Sequence, residues 1–343
     1  MLDLLKILFL MLVIQGSVIG QEDRDTLSFL HISDVHFCNL NGYHPDFVEK
    51  RQHYGGIADS FQTWIREMPK KKKADFVVIT GDMIDFYEAE SKDGSLLGAQ
   101  VEQFVALTQE VEVPLYMTLG NHDIASYWME GDKKHSHQFQ VGEARARWTR
   151  NSDCFKDGTY YSKKIEVDGV KYLFIFLDNG FYSPDRRNNK KAEGDAPNLI
   201  DEYQLLWLDH LLNREDYDHA ILFTHIPLFS PDIKTLQSSR NTYFLDLKDT
   251  IPQLHTLTIP EDGKMKLNDV LNRYPRVKAV ISGHKHASAH YEVKFPAGHS
   301  IHNLLTGAFG RDTRNWRKLK LTSDKIIISY PGFDEKQYEI LME

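Results

Sequence analysis

Met117-Thr-Leu-Gly-Asn-His-Asp123 joins a short apolar segment to three polar side chains, and the prediction of the fold starts from this stretch. Residues 113–117, which lead into it, are typical of a short buried strand. Gly120 follows that strand, and an amide, an imidazole and a carboxylate come directly after it. In open α/β sheets, ligands bind at the carboxyl edge of the strands. The stretch therefore indicates an active-site loop, although an ordinary polar turn would have the same composition.

Four further segments repeat this pattern of an apolar strand followed by Asp or His. One such ending is unremarkable, but five in one chain are hard to explain by packing alone. We therefore predict five buried strands whose carboxyl ends contribute to one site. The four segments are residues 27–33 before Asp34 and His36, residues 76–80 before Asp82, residues 220–224 before His225, and residues 277–282 before His284 and His286.

The composition is that of a protein with a sizeable core and an acidic balance of charge. The chain has 343 residues, of which 41% are hydrophobic, and its formal net charge is -8. A general nucleic-acid binder usually has a basic surface, so no nucleic-acid binding is expected. The basic run at residues 70–73 is interpreted as a solvated helix C-terminus, where cations complement the helix dipole. Cys38 and Cys154 are expected to be two separate thiols or one optional bridge.

Residues 1–20 differ from the rest of the chain and predict a secretory signal peptide. Residues 7–14 are an uninterrupted apolar run, and small residues suited to a cleavage site follow at Gly16, Ser17 and Gly20. The run is too short to span a membrane, so no transmembrane segment is expected in the mature chain. We therefore expect a secreted, periplasmic or other extracytoplasmic protein, with an uncleaved N-terminal anchor as the alternative.

The order of the predicted elements indicates an α/β fold. In the first half, strands alternate with apolar patterns of helical spacing over residues 55–67 and 97–110. Such alternation is typical of a parallel sheet with helices on its faces. From residue 277 the chain is mainly predicted strand, with a short helix before it at residues 267–274. Two mixed sheets packed face to face with helices outside account for both halves, in one domain over residues 25–343.

The side chains at the five strand ends form a candidate metal-ligand set. Two carboxylates, four imidazoles and one carboxamide suit borderline divalent ions such as Mn, Fe or Zn. The set is too large for one ion and fits two divalent ions that share a carboxylate. Two such ions can clamp an in-line displacement at phosphorus and activate a water as hydroxide. The set consists of Asp34, His36, Asp82, Asn121, His225, His284 and His286.

The five blocks stand in the order found in the calcineurin-like metallophosphoesterase superfamily, which the chain resembles. The resemblance implies a four-layer α/β/β/α sandwich of two mixed sheets with flanking helices. It also implies metal-dependent hydrolysis of a small phosphoester substrate, either a phosphomonoester or a phosphodiester. The blocks read D-x-H at 34–36, G-D at 81–82, G-N-H-D at 120–123, H at 225 and G-H-x-H at 283–286.

The resemblance further implies a role for each residue of the blocks. Asp82 would bridge two metal ions. His122 would bind the phosphate together with Asn121 and act as the general acid, and Asp123 would orient the ring of His122. The remaining residues would divide into Asp34, His36 and His286 on one metal, and Asn121, His225 and His284 on the other.

Within the superfamily, several positions narrow the prediction. Residues 204–212 resemble the cyclic-nucleotide phosphodiesterase and purple acid phosphatase branches. His36 and Asp85 stand where purple phosphatases have a glycine and a tyrosine ligand, so a ferric–tyrosinate centre is not expected. Phe86 stands where serine/threonine protein phosphatases have an arginine, which argues against that activity. Asp85 itself is interpreted as a supporting residue or a helix cap and not as a ligand.

Two alternative functions are compatible with the same residues. The first is a phosphoesterase specialised for a phospholipid or a nucleotide diphosphate. The second is a non-catalytic metal-binding relative of the same fold. An inactive relative would normally lose a ligand or His122, and all of these residues are present, which favours an enzyme. Tyr54 and Trp316 are interpreted as packing aromatics, with stacking on a substrate base as the alternative.

Overall fold

The computed structural model describes residues 25–180, 200–230, 243–246, 251–252 and 267–343. The predicted signal peptide at residues 1–20 lies outside these ranges. Every helix of the described ranges is too short or too polar to cross a lipid bilayer. Cys38 and Cys154 are both free, so the structure has the arrangement with two separate thiols.

The described ranges contain nineteen strands and six α-helices. The strands are Leu27–Ile32 (β1), Phe76–Thr80 (β2), Glu88–Glu90 (β3), Leu96–Leu97 (β4), Leu115–Thr118 (β5), Ser126–Glu130 (β6), Lys133–His137 (β7), Tyr161–Val167 (β8), Val170–Phe176 (β9), His219–Phe223 (β10), Phe229–Ser230 (β11), Tyr243–Asp246 (β12), Ile251–Pro252 (β13), Val277–Ser282 (β14), Ala289–Lys294 (β15), Ser300–Leu305 (β16), Trp316–Leu321 (β17), Lys325–Ser329 (β18) and Lys336–Leu341 (β19). The helices are Pro45–Arg51 (α1), Ile57–Lys72 (α2), Gln100–Thr108 (α3), Val141–Asn151 (α4), Glu202–Arg214 (α5) and Leu267–Arg273 (α6).

The first sheet has six strands in the order β19-β18-β17-β1-β2-β5. Strands β1, β2 and β5 are parallel, as the alternation of strands and helices predicted. Strand β17 pairs antiparallel with β1, from Leu27 opposite Leu321 to Ile32 opposite Trp316. This strand was not predicted, because three of its six residues are basic and hide the apolar alternation. The sheet is therefore mixed, with a parallel half and an antiparallel half.

The second sheet has seven strands in the order β12-β15-β16-β14-β10-β9-β8. Its centre, from β9 through β10 and β14 to β16, is parallel, and the hairpins β8–β9 and β15–β16 are antiparallel. Side chains alternate between the two faces, as they must along a strand. On β9, Phe174 faces the first sheet, whereas Leu173 and Ile175 face the outer helices.

The two sheets pack face to face, and helices cover both outer surfaces. Between the sheets, the ring of Phe29 on β1 lies 5.9 Å from that of Phe174 and 6.0 Å from that of Phe223. Helices α2 and α3 pack on the first sheet, with Phe61 and Phe104 stacked at 5.1 Å. Helices α5 and α6 pack on the second sheet through buried leucines. The predicted α/β/β/α sandwich of two mixed sheets is therefore confirmed.

A four-stranded accessory sheet, in the order β4-β3-β6-β7, was not predicted. Residues 127–150 are largely polar, and the second half of this stretch lies in helix α4. The first half is instead the β6–β7 hairpin, whose turn contains Gly131 at φ +60. The hairpin has few apolar residues to alternate, so its strands leave little signal in the sequence. Its Tyr127 reaches the loop that carries His122.

Candidate metal centre

The predicted ligands lie at the carboxyl ends of the strands, where the two sheets come together. Asp34 and His36 follow β1, Asp82 follows β2, and Asn121 lies shortly after β5. The second sheet contributes His225 after β10 and His284 and His286 after β14. The five strands differ in position, because β1, β2, β10 and β14 are inner strands of their sheets whereas β5 is the edge strand of the first sheet.

The loops that carry these ligands have an uncommon backbone conformation. Asp34, His36, Asp82, His284 and His286 all have φ between 48° and 66°, in the left-handed region that side chains with a Cβ rarely adopt. In the described chain, seven residues other than glycine have a positive φ, and five of them are these predicted ligands. Backbone strain of this kind tends to collect at functional sites and persists only where the surrounding structure holds it.

Two glycines of the blocks allow the loops to approach each other closely. A Cβ on Gly120 would lie 2.3 Å from the Asp82 carboxylate oxygen Oδ1. A Cβ on Gly283 would lie 1.7 Å from the Ser33 hydroxyl and 2.4 Å from the Asp34 Oδ2 atom. Any side chain at either position would therefore push a ligand loop out of the site.

One group of side chains collects around Asp34. The ligand atoms of Asp34, His36, Asp82 and His286 all lie within 4.8 Å of one another. The His286 Nε2 atom is 3.1 Å from both the Asp34 Oδ1 atom and the His36 Nε2 atom. Asp34 Oδ1 is buried, yet no contact to it has hydrogen-bond geometry. A buried carboxylate oxygen without a hydrogen bond, facing two imidazole nitrogens, is what a cation site requires.

A second group collects around His225 and shares Asp82 with the first. The ligand atoms of Asp82, His225 and His284 lie within 4.8 Å of one another. The His225 Nε2 atom is 3.2 Å from the Asp82 Oδ2 atom, the Asn121 Oδ1 atom and the His284 Nδ1 atom. The structure thus brings all seven predicted ligands together, and it places Asp82 in both groups.

The electrostatics of the site favour ionised carboxylates. Burial alone would raise the pKa of Asp34, but His286 and His225 outweigh it and lower that pKa to about 2. Burial would likewise raise the pKa of Asp82, and the charge of His225 holds it well below its usual range. Burial would lower the pKa of His225, but Asp82 raises it to about 9. Metal binding at His225 would therefore release a proton.

Hydrogen bonds fix which ring nitrogen of two histidines faces the site. The His36 Nδ1 atom lies 3.0 Å from the Asp85 Oδ1 atom, so its Nε2 atom faces Asp34 and Asp82. The His225 Nδ1 atom lies 2.8 Å from the Thr80 carbonyl oxygen. Each of these acceptors fixes the proton on Nδ1 and leaves Nε2 as the ligand atom, an arrangement that metal-binding histidines usually have.

Asp85 supports the ring of His36 through its contact with Nδ1, which agrees with its interpretation as a supporting residue. Asp85 is itself paired with Arg51, a contact that was not predicted. Arg51 forms a two-pronged ion pair with the buried Asp85 carboxylate, with its Nε atom 2.6 Å from Oδ2. The ring of Tyr54 stacks on that of His36 at 4.5 Å. Tyr54 and Trp316 are 3% and 5% exposed, which confirms that both are packing aromatics. The His44-Pro45 pair, which begins helix α1, was the available signal for the element that carries Arg51.

The prediction that Asp123 orients the ring of His122 is wrong. The Asp123 carboxylate accepts hydrogen bonds from the backbone N–H groups of Gly120 at 2.7 Å and Ile84 at 3.0 Å. The His122 Nδ1 atom instead lies 2.7 Å from the carbonyl oxygen of Asp85 and 3.1 Å from the Tyr127 hydroxyl. The two neighbouring side chains therefore point in different directions. The buried Asp123 carboxylate stabilises the loop through its backbone hydrogen bonds.

Comparisons with known proteins agree with this geometry. A family model described as calcineurin-like phosphoesterase matches residues 27–288. The chain is 27% identical over 278 residues to the serine/threonine-protein phosphatase CPPED1 of Pongo abelii, which covers 78% of this chain and 69% of that protein. It is 24% identical over 216 residues to a probable glycerophosphodiester phosphodiesterase, GpdQ, of Arcobacter nitrofigilis, which covers 63% of this chain and 58% of that protein.

A solved structure shares the fold. A dimetal phosphatase from Danio rerio superposes with a TM-score of 0.53 at 16% identity, over 92% of this chain and 99% of that one. At that identity the likeness concerns the fold alone. The match of the family model covers most of the chain and spans all five blocks of the site. The chain therefore belongs to the calcineurin-like phosphoesterase family, and it is a metallophosphoesterase.

Proposed function

We propose that this protein hydrolyses phosphomonoesters or phosphodiesters at a centre of two divalent cations. The observation that carries the proposal is the convergence of seven ligand side chains from five strand ends, with Asp82 common to both groups. Nitrogen and oxygen donors in this ratio suit Mn, Fe or Zn. The residues fit two cations, since the carboxylates are held ionised and an Asp34 oxygen lacks a hydrogen bond.

The two groups of side chains assign a set of residues to each cation. Asp82 is the residue that both would share. When bound, the cations would stabilise negative charge on the phosphoryl group and lower the pKa of a water molecule. The other ligands would be Asp34, His36 and His286 for one cation, and Asn121, His225 and His284 for the second.

Exposure indicates the side from which a substrate enters. The side chains of His122 and His286 are 18% and 20% exposed, whereas Asp34 and His225 are fully buried. The opening of the site is therefore lined by His122 and His286. A phosphate group that enters there meets the His122 ring and the neighbouring Asn121 amide before it reaches the buried carboxylates.

In this proposal, His122 gives a proton to the leaving oxygen. The Asp85 carbonyl oxygen can only accept, so the contact at 2.7 Å fixes a proton on His122 Nδ1 and leaves Nε2 for the substrate. Burial lowers the pKa of His122 to about 4, against the opposing charge of Asp82, so the ring is neutral in the free site. A bound phosphate adds negative charge next to the ring, which raises this pKa and favours the protonated, donating form.

A turnover screen would determine which class of phosphoester the protein hydrolyses. Metal-reconstituted protein would be assayed on alkyl phosphomonoesters, linear and cyclic diesters, a glycerophosphodiester, a nucleotide diphosphate and a phosphoserine peptide. The peptide belongs in the screen because CPPED1 is named a serine/threonine-protein phosphatase, although Phe86 argues against that activity here.

We expect at least one class to be hydrolysed well above the rate of the matched Asp82→Asn protein. Hydrolysis of monoesters and diesters but not of the peptide would agree with the argument from Phe86. If every class stayed at the rate of the Asp82→Asn protein while metal was bound, the proposal would fail. The non-catalytic alternative would then be the better description.

A further inference from the structure

A buried charged side chain lies between the two sheets and is not one of the ligands described above. Arg317 on β17 is 0% exposed, and it stands directly opposite His31 on β1. Both side chains are on the sheet face that also carries Phe29, which packs against the second sheet. The guanidinium therefore points into the space between the sheets, where an isolated charge is strongly unfavourable unless it is paired.

Part of the Arg317 guanidinium is satisfied and part is not. Its Nη1 atom donates to the Ser329 carbonyl oxygen at 2.8 Å and to the Gln337 side-chain oxygen. Its Nε and Nη2 atoms are buried without a hydrogen-bond partner among the described residues. These two atoms form the side of the guanidinium fork that commonly binds an anion through two parallel hydrogen bonds.

His290 on the facing sheet is unsatisfied in the same region. Its side chain is 3% exposed, and neither ring nitrogen has a hydrogen-bond partner in the described part of the chain. The ring packs against Tyr338 of the first sheet, and the Tyr338 hydroxyl lies 3.0 Å from His302 Nδ1, so the two sheets meet here. Arg317 and His290 are linked through β19, because Gln337 accepts from Arg317 Nη1 and its chain neighbour Tyr338 packs on the His290 ring. Burial lowers the pKa of His290, and the charges of His302 and Arg317 lower it further.

No carboxylate of the described residues balances this charge. Burial alone lowers the pKa of Arg317, to about 9, so the side chain is still protonated at neutral pH. Glu292, on the same strand as His290, is 3.2 Å from His302 and is engaged there. His31 is neutral, and its ring nitrogens are held at 2.8 Å by the hydroxyls of Thr306 and Thr80. The surroundings therefore supply donors and no counter-charge.

We propose that a monatomic anion of the halide class, such as chloride, binds between the sheets at the Nε and Nη2 atoms of Arg317 and the ring of His290. A cation is disfavoured there because the guanidinium would repel it. A water molecule could fill the space but would not balance the charge. Protein interiors are close-packed, which favours a small anion over a polyatomic one between two packed sheets.

Bromide tests the site directly, because it replaces chloride and can be located by its anomalous scattering. Crystals of the metal-loaded protein grown in sodium bromide are expected to show an anomalous peak beside Arg317 Nε and Nη2 and the His290 ring. A peak of ordinary density at that position with no anomalous signal would mean that only water is present. Such a result would overturn the proposal.

Thermal unfolding provides a second test in solution. At equal ionic strength, chloride is expected to raise the Tm of the full-length protein by about 2–6 °C relative to gluconate, as saturation of one native-state site predicts. Arg317→Met should lose this difference, whereas Arg314→Met, which removes an exposed arginine from the turn before β17, should retain it. Equal Tm values of the unmodified protein in the two salts would contradict the proposal, even if Arg317→Met failed to fold.

Discussion

Replacing Asp82 with asparagine is expected to remove most of the bound metal and to lower turnover by at least about 10³-fold, because metal ions supply several kcal/mol of transition-state stabilisation. Asp82 belongs to both groups of ligand atoms, so this one substitution removes a ligand from each of them. The asparagine retains the shape of the side chain and an oxygen that can accept from the His122 N–H, now 2.8 Å from Asp82 Oδ1. The loss of metal and of turnover would therefore be caused by the missing negative charge and not by a rearranged loop.

Elemental analysis and turnover of the same preparation measure this effect. Asp324→Asn is the matched control, since Asp324 is an exposed carboxylate in the turn between β17 and β18. The control should retain full metal content and full activity. Unchanged metal content in Asp82→Asn would show that Asp82 is not the shared ligand, and the division of the seven residues between two cations would be wrong.

Replacing His122 with alanine is expected to slow alkyl phosphoesters by roughly 10²–10⁴-fold, the usual value of general acid help. Nitrophenyl esters should slow far less, because nitrophenolate leaves readily without a proton. The physical basis is the contact of His122 Nδ1 with the Asp85 carbonyl oxygen, which leaves Nε2 for the substrate on a side chain that is 18% exposed. Metal content should barely change, because His122 is not one of the seven ligands.

The slowing of alkyl esters relative to nitrophenyl esters distinguishes a general acid from a phosphate anchor at His122. Equal slowing of alkyl and nitrophenyl esters would show that the ring anchors the phosphate and does not donate a proton. Loss of metal would show that the ligand assignment in this loop is wrong. His210→Ala is the control, because His210 is exposed on α5, and it should leave both rates unchanged.

The strands that carry the site could be predicted because their signal is local. Each combines a short apolar run, which a buried parallel strand requires, with polar residues that cannot be buried without partners. The strand β17 lacked this signal: Arg317, Lys318 and Lys320 interrupt its apolar residues. One of these, Arg317, is fully buried, a position that arginine rarely takes unless it has a partner.

The contacts around the ligands could not be predicted because they join distant parts of the chain. Arg51 and Asp85 are 34 residues apart, and nothing in either segment indicates that the two side chains pair. Residues adjacent in sequence can also lack the contact that their adjacency suggests. Asp123 is the immediate neighbour of His122, yet its carboxylate accepts from the backbone of Gly120 and Ile84. Adjacency in sequence does not determine side-chain direction in a loop, where no regular period applies.

A titration of metal-free protein with Mn, Fe or Zn tests the central claim most directly. Bound metal and turnover of a nitrophenyl phosphate ester would be measured on the same samples after removal of metal with a chelator. The proposed centre predicts negligible turnover without metal, and turnover that reaches its maximum near two ions per chain. Full turnover of the metal-free protein, or a maximum reached at one ion per chain, would contradict it.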